Sequence, residues 1–524
     1  MFLKIIQKIK KKQLFLQLLM KLNIKKNKQM KKVFVLLAIS SFILMNFTSC
    51  KSKGSTGNSS ATGWKYNDPK NGGFEKIAYK GQDLAPGLVF VEGGSFMMGQ
   101  KEQDVMFEWN AVPRKVTVNS FYMDETEVAN IHYKEYLYWL QRVFGESFPQ
   151  VVSKALPDTL VWRDELAYNE PYLEYYFRHP SYDMYPVVGV NWLQANDFAK
   201  WRTDRVNEGI LVKKGILNLE PESDVDENNF NTGAYLAGQY EGSVKKNLKD
   251  LNPTGSGERS VKFEDGILQP DYRLPTEAEW EFAAYSLRGN LPYKDEERFT
   301  DQKIYPWNGF SLRYPKSGKL QGKFLANFKR GRGDNMGVAG NLNDDGAITT
   351  EVKAYFPNDY GLYNMAGNVN EWVMDVYRPM TSIDANDFNS FRGNIFKTKL
   401  KSEDGTELAE KDSLGRLNFR DVTNEEAAER RNYRKSDVRN YIDQDEQSLV
   451  AYQYGSSSLI NDKSRVYKGG SWKDRAYWMS PGSRRFIQEY ESTDDIGFRC
   501  AMDRVGSPKG NQFKSGNHFG GKKK

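Results

Sequence analysis

Apolar and polar positions alternate in short stretches where the chain first looks globular. Leu88-Val-Phe-Val91 reads as a strand closed by a Gly93-Gly94 turn, and Lys115-Val-Thr-Val-Asn-Ser-Phe-Tyr122 as another strand. The period then changes to that of a helix. Asn130 stands as the N-cap of a helix running to about Val143. Asn191 and Gln194 make a capping-box pattern ahead of Ala195, Phe198 and Ala199. Thr276-Glu-Ala-Glu279, after Pro275, is a full capping box ahead of Trp280 and Phe282. The rest is short strands and turns, with no internal repeat of roughly 20–50 residues.

A different pattern opens the chain. Lys31-Lys32 precede a 13-residue apolar run, Val33 to Met45, which ends in Asn46-Phe-Thr-Ser49 before Cys50. A basic start, a short apolar stretch and small residues before the cut describe a secretory signal over 30–49, and the run is short for a membrane span. Cys50, followed by a Ser/Gly-rich stretch, is the expected lipidation site, with 50–83 as lipidated Cys and linker. Residues 1–29 read as an upstream extension, with a functional basic arm as the alternative. The tail 505–524 reads as disordered.

Charge follows the same division. The whole chain is +7, but residues 1–32 hold eleven Lys and no acid and 505–524 hold five Lys and no acid, so 33–504 carry 7 − 11 − 5 = −9. A mildly acidic body argues against nucleic-acid binding. Two Cys and three His exclude a disulfide framework and a Cys-based zinc site. With Cys50 lipidated, Cys500 is the remaining thiol, in a strand-like context that suits a buried, inert side chain. Residues 204–268 and 381–463 are polar and read as two long surface insertions, either solvated loop or partner surface.

No Gly-x-Ser-x-Gly, Walker A loop or His-Glu-x-x-His occurs. Asn341, Asn343, Asp345 and Gly346 have the spacing that opens a calcium loop, but Val352 stands where an EF-hand has Glu, so an acidic turn without metal remains open. Nine motifs then run in order: Gly93–Gly99, Val118–Val128, Tyr185–Trp192, Tyr272–Glu281, Tyr305–Trp307, Ala326–Phe328, Tyr360–Trp372, Val466–Trp472 and Ile496–Arg499. This string, over about 84–504, resembles the formylglycine-generating-enzyme (sulfatase-modifying factor) family. The resemblance implies an α+β fold: a single irregular, C-type-lectin-related domain carrying the two insertions. With the lipoprotein signal, Thr62-Gly-Trp-Lys65, Leu156–Arg163 and Arg475-Ala-Tyr-Trp478 added, the chain looks like the gliding-motility lipoproteins of that family.

The resemblance also carries site expectations. The family's chemistry uses two copper-binding thiols five positions apart after the Gly-Gly-Ser-aromatic motif. Those positions fall on Asp474 and Met479, so no copper and no oxidase activity are expected. Two calcium sites carry over: Asn327 side chain, Phe328 carbonyl, Asp345 side chain and Ala347 carbonyl for one; Asn364, the Gly367 and Val369 carbonyls and Glu371 for the other. Asn370 replaces an aromatic residue usual beside the second. Oxygen-only ligands suit a hard cation. Gliding lipoproteins imply an outer-membrane anchor with a periplasmic body, type IX secretion partners such as the lipoprotein GldK, and no nucleic acid. Three readings follow: a non-catalytic scaffold, a divergent enzyme, or a lectin-like binder of glycan or peptide. Clustered titratable groups in a cleft would favour the second, and an exposed aromatic platform the third.

Overall fold

The computed structural model describes residues 57–79, 81–100, 110–286, 303–331, 346–378, 390–405, 407–423, 425–427 and 460–506. The signal segment, Cys50, Asp345, the middle of the second insertion and the basic tail lie outside the described residues. Two units are distinguished. The smaller holds, of the described residues, 57–76 with Asp250–Gly257. Within it Asp68 caps the turn Pro69–Asn71, and the rings of Tyr66 and Phe74 lie 5.8 Å apart. This stretch, read as linker, is therefore built of hydrogen-bonded turns.

The larger unit mixes helices with two four-stranded sheets, as the resemblance implies. In one sheet, β1 (Leu88–Val91) pairs with β4 (Phe121–Asp124), and the order continues through β10 (Ala501–Asp503) to β5 (Tyr272–Arg273), all antiparallel. In the other, β7 (Ser464–Lys468) lies between β8 (Arg485–Gln488) and β6 (Asn370–Val376), and β9 (Ile496–Gly497) joins β6 in parallel. β2 (Gly94–Met98) and β3 (Arg114–Val118) form a hairpin ladder.

The segment 115–122, read as one strand, is two. It breaks at Asn119-Ser120, where the Ser120 hydroxyl accepts the Gly93 N–H. The helix α1 (Asn130–Phe144) is capped by Ala129, not Asn130. The Asn130 amide instead donates to the carbonyls of Tyr176 and Tyr182, a tertiary use that local pattern does not reveal. α2 spans Pro149–Ala155. Both capping boxes form as read: Asn191 with Gln194 starts α3 (Trp192–Lys213), and Thr276 with Glu279 starts α4 (Glu277–Tyr285).

α1 and α3 meet through Tyr133 and Phe198, stacked at 5.7 Å, with Phe498 against both rings. Trp280 and Phe282 of α4 enter a second core with Phe96. The first insertion differs from its reading as polar surface. Residues 204–213 belong to α3, and Leu211, Leu217, Phe230, Tyr235 and Val261 build a small core of their own. The described part of the second insertion packs on it: the Asn229 and Gln239 amides donate to the Leu414 and Ala409 carbonyls, and Lys411 pairs with Glu241. Apolar residues spaced irregularly among polar ones hide such a core from any periodicity search.

Candidate functional site

β7 runs into Gly469-Gly470, whose φ values of 105° and 71° suit glycine. A Cβ on Gly470 would stand 3.0 Å from the Trp478 backbone, so the chain doubles back tightly here. The turn is tied to its neighbour segment, because Gly367 N–H donates to Gly469 O and Trp472 N–H to Asn368 O. It delivers Asp474, and the short turn Ala476–Met479 that follows delivers Met479.

Asp474 is locked in place. Arg485, on β8, donates to both its carboxylate oxygens at 2.7 and 2.5 Å. Ser471 offers its N–H at 3.0 Å and its hydroxyl at 2.7 Å, and Asn370 its amide at 3.0 Å. The same Asn370 amide reaches Asp495, and its oxygen accepts from Arg485. The guanidinium lies between the rings of Tyr467 and Trp478. Burial works against ionisation of Asp474, but the hydrogen bonds and charge of Arg485 outweigh it and hold the carboxyl below its usual range. Lys473 joins Asp494 and Asp495 at the edge. Met479 is fully buried among Phe324, Ala326, Phe328 and Ala366.

A copper centre of the family type needs two thiolates aimed at a common point. Here one position is a carboxylate held by an arginine, and the other a thioether packed in an apolar cluster. These donors do not fit that metal. Cys500 is buried, and burial together with Asp124 pushes its thiol up to about 12, which keeps it protonated.

The described members of the two expected calcium sets lie on separate segments: Asn327 with Phe328, Ala347, and Asn364 to Glu371, the last on β6. Asn327 is buried, its amide donating to Ile348 O at 2.8 Å while its Oδ1 has no hydrogen-bond partner among the described residues. An orphaned buried acceptor, on a side chain whose amide is bonded to Ile348 O next to Ala347, fits a hard cation, with Asp345 outside the described residues. In the second set, the Asn364 amide donates to Glu127 at 3.0 Å. Gly367 sits so close under Asn327 that a Cβ would lie 2.4 Å from its carbonyl oxygen. Glu371 is taken up differently: Arg499 grips both oxygens at 2.6 Å and Trp280 donates at 2.7 Å. Glu371 thus has a cationic partner already.

Sequence reasoning missed Glu127, Asn368, Arg485 and Asp495 as members of these clusters. Glu127 accepts from Asn364 and Asn368, and its burial, opposed by Arg499 and reinforced by Glu371, raises its carboxyl to about 8. Its only signal was its place in the Val118–Val128 motif. A third cluster is wholly interior: Arg484 grips Glu277 at 2.6 and 2.9 Å, and Lys468 joins Glu277 to Glu281. These titratable groups are paired and dry rather than open to a cleft. Among the described residues no three or more His, Cys, Asp and Glu gather as a metal cluster, and no helix is long and apolar enough to cross a membrane.

Residues 73–504 match the sulfatase-modifying factor enzyme 1-like domain, and the chain belongs to that family. It is 26% identical to the mouse formylglycine-generating enzyme over 57% of this chain and 60% of that protein, and so spans less than two thirds of that relative's length. It is 27% identical to the Thermomonospora curvata formylglycine-generating enzyme over 56% of this chain and 73% of that one. It is 28% identical to the mouse inactive C-alpha-formylglycine-generating enzyme 2 over 56% of this chain and 70% of that one. Among solved structures it is similar to PvdO from Pseudomonas aeruginosa, at 15% identity and a TM-score of 0.36, over 79% of this chain and 94% of that one.

Proposed function

We propose that this chain is a non-catalytic, lipid-anchored scaffold of the outer membrane, of the gliding-motility lipoprotein type GldJ, needed for gliding and type IX secretion. The observation that carries the non-catalytic part is the Asp474–Arg485 pair. It fills one thiol position with a satisfied ion pair, while Met479 fills the other with core packing. A family that includes an inactive mammalian paralogue gives this reading a precedent. The interior Glu277–Arg484–Lys468 cluster supports it over a divergent enzyme, because paired, solvent-excluded charges hold a fold rather than meet a substrate. The gliding assignment rests on the signal, Cys50 and the motif resemblance. Calcium, held by Asn327, Phe328, Asp345 and Ala347, belongs to the proposal as a structural ion. The partners are envelope lipoproteins of the machinery, GldK among them, met on the periplasmic side.

The test uses Asp474→Asn and Met479→Leu, which preserve shape. Both variants should support motility and secretion. The purified protein should form no aldehyde on a cysteine-containing sulfatase-type peptide, with or without copper. Copper-dependent aldehyde formation that Asp474→Asn removes would overturn the reading in favour of a divergent enzyme.

A further inference from the structure

Gly57, where the description of the smaller unit begins, comes seven positions after Cys50. An extended chain spans at most about 3.6 Å per residue, so an anchored Cys50 keeps Gly57 within about 25 Å of the membrane surface. Two large apolar side chains of this unit are left uncovered by the fold: Trp64 is 61% exposed and Phe74 69%. Single exposed apolar residues are ordinary on a protein surface. A Trp and a Phe together on one small unit, beside an anchoring site, are not.

Backbone bonds fix both loops. In the first, Tyr66 N–H donates to Gly57 O and Ser59 N–H to Trp64 O, each at 2.7 Å, while the Ser59 hydroxyl accepts the N–H groups of Ala61 and Thr62. In the second, Asn67 N–H donates to Phe74 O at 2.9 Å, and the Asn67 side chain bonds both backbone groups of Lys76. Gly73, at φ 72°, passes so near Leu251 that a Cβ would overlap the Leu251 carbonyl. The Tyr66 ring joins the parts, 5.8 Å from the Phe74 ring and with the Lys76 ammonium 4.7 Å from its centre. Charge is sorted as well. Residues 50–76 hold five Lys and two acids, and both acids turn to backbone: Asp68 accepts Lys70 N–H and Glu75 accepts Leu251 N–H. Lys65, Lys70 and Lys76 are exposed. A braced frame thus presents two aromatic rings among lysines.

We propose that Trp64 and Phe74 insert into the headgroup region of the lipid bilayer that holds Cys50, so that this unit is a second membrane contact beside the acyl chains. The amphipathic Trp ring suits the boundary between headgroups and acyl chains, and Lys stems reach along it to put their ammonium groups among the phosphates. Taking the two rings out of water supplies an attraction that grows with the apolar area buried. The tether makes that contact intramolecular, so a modest attraction suffices. The short reach from the anchor also favours lipid over a protein partner. The contact rests on the anchored-lipoprotein reading only for bringing the unit to a bilayer.

The test tethers the full mature chain, with a hexahistidine tag in place of Cys50, to phosphatidylcholine vesicles containing nickel-chelating lipid. The unit then meets a bilayer whether or not the cell acylates Cys50. An environment-sensitive fluorophore sits on Ala61→Cys, an exposed position in the Trp64 loop, and the buried Cys500 leaves it a single site. Emission should shift to the blue, and spin-labelled lipid should quench it. Trp64→Ser/Phe74→Ser should cut that quenching about threefold or more, while Trp64→Tyr/Phe74→Leu should keep at least about half of it. Leu166→Ser/Tyr168→Ser, which removes apolar side chains exposed elsewhere, should change it less than about twofold. The signal should persist in about 1 M salt, where surface charges are screened. Equal quenching in the parent and Trp64→Ser/Phe74→Ser overturns the proposal, because the tether alone then brings the label to lipid. So does loss of the signal in salt, which is charge attraction, or a conservative pair as weak as the serine pair, which is lost packing. An unquenched parent overturns it outright and leaves the rings to a protein partner. Mass spectrometry of native Cys50 decides the anchor separately, so a failed contact and a missing acyl chain are told apart.

Discussion

The Arg485 guanidinium closes on both oxygens of Asp474, at 2.7 and 2.5 Å, at the position where the family resemblance puts a thiol. The pair is mostly shielded from water, with Tyr467 and Trp478 against the guanidinium. Removing one partner strands the other. Asp474→Ala should therefore cost about 3 kcal/mol, and Arg485→Met a similar amount. The double variant should cost clearly less than the sum, with a coupling of about 1 kcal/mol or more. Urea denaturation of the four proteins measures this, and simple additivity would refute the lock.

Met479 tests the other position. It is fully buried against Phe324 and Phe328, so Met479→Ala should open a cavity and cost about 3 kcal/mol. Met479→Leu keeps the volume and should cost less than about 1.5 kcal/mol. A cheap Ala variant in the same denaturation assay would mean that this side chain does not hold the turn to the core.

Asp375 should give the protein an alkaline liability. Burial and the Glu277 carboxylate raise it to about 7, against N–H groups of Glu277 and Arg392 and the charge of Arg484; Arg114 also lies within electrostatic reach. Its folded pKa lies above its unfolded value near 3.8, so the native state holds the proton more tightly. Its contribution is complete below about pH 4 and is lost as pH rises through about 7, at up to about 1.4 kcal/mol per pH unit. Glu277 has the opposite sign. Burial opposes its ionisation, but Arg484 and Lys468 bring it down to about 2, so its stabilisation is present above about pH 4.5 and fades as pH falls toward 2. Asp375→Asn should be less stable at pH 5, because one N–H loses its acceptor, yet show a flatter decline from pH 5 to 8. An unaltered slope in denaturation midpoints across that range would count against this assignment.

What was legible in the chain was local. Asn191 with Gln194 and Thr276 with Glu279 announce their helices because each capping box closes within four residues. Asp474 was legible as a position, through the Gly-Gly-Ser-Trp motif. Its partner was not, since only the pairing of β7 with β8 brings Arg485 to it. Asn370 was noticed as a departure from the family, but its role in bridging Asp474 and Asp495 depends on three separate segments meeting. Asn130 misled for the same reason: a side chain suited to a cap was spent on the carbonyls of Tyr176 and Tyr182.

Asn327 supplies the calcium prediction. Its Oδ1 is buried with no donor opposite among the described residues, and such a group costs about 1–3 kcal/mol when left unsatisfied. The turn is held tight around it: Asn368 N–H donates to the Asn327 carbonyl at 2.8 Å, and Gly367, at φ 77°, leaves no room there for a side chain. A cation drawn to Oδ1, the Phe328 and Ala347 carbonyls and Asp345 would satisfy the orphan and bind only the folded chain. Free calcium at a hundredfold excess over Kd then adds about 2.7 kcal/mol. Melting curves in calcium and after exhaustive chelation should differ accordingly. Asp345→Ala and Asn327→Ala should each remove the calcium-dependent part, and Asn327→Ala, which also takes the donor from Ile348 O, should melt lower than the wild type even after chelation. Identical wild-type curves with and without calcium would sink the prediction. A calcium response retained in both variants would move the ion away from Asn327 and onto the Asn364 turn, where Arg499 already engages Glu371.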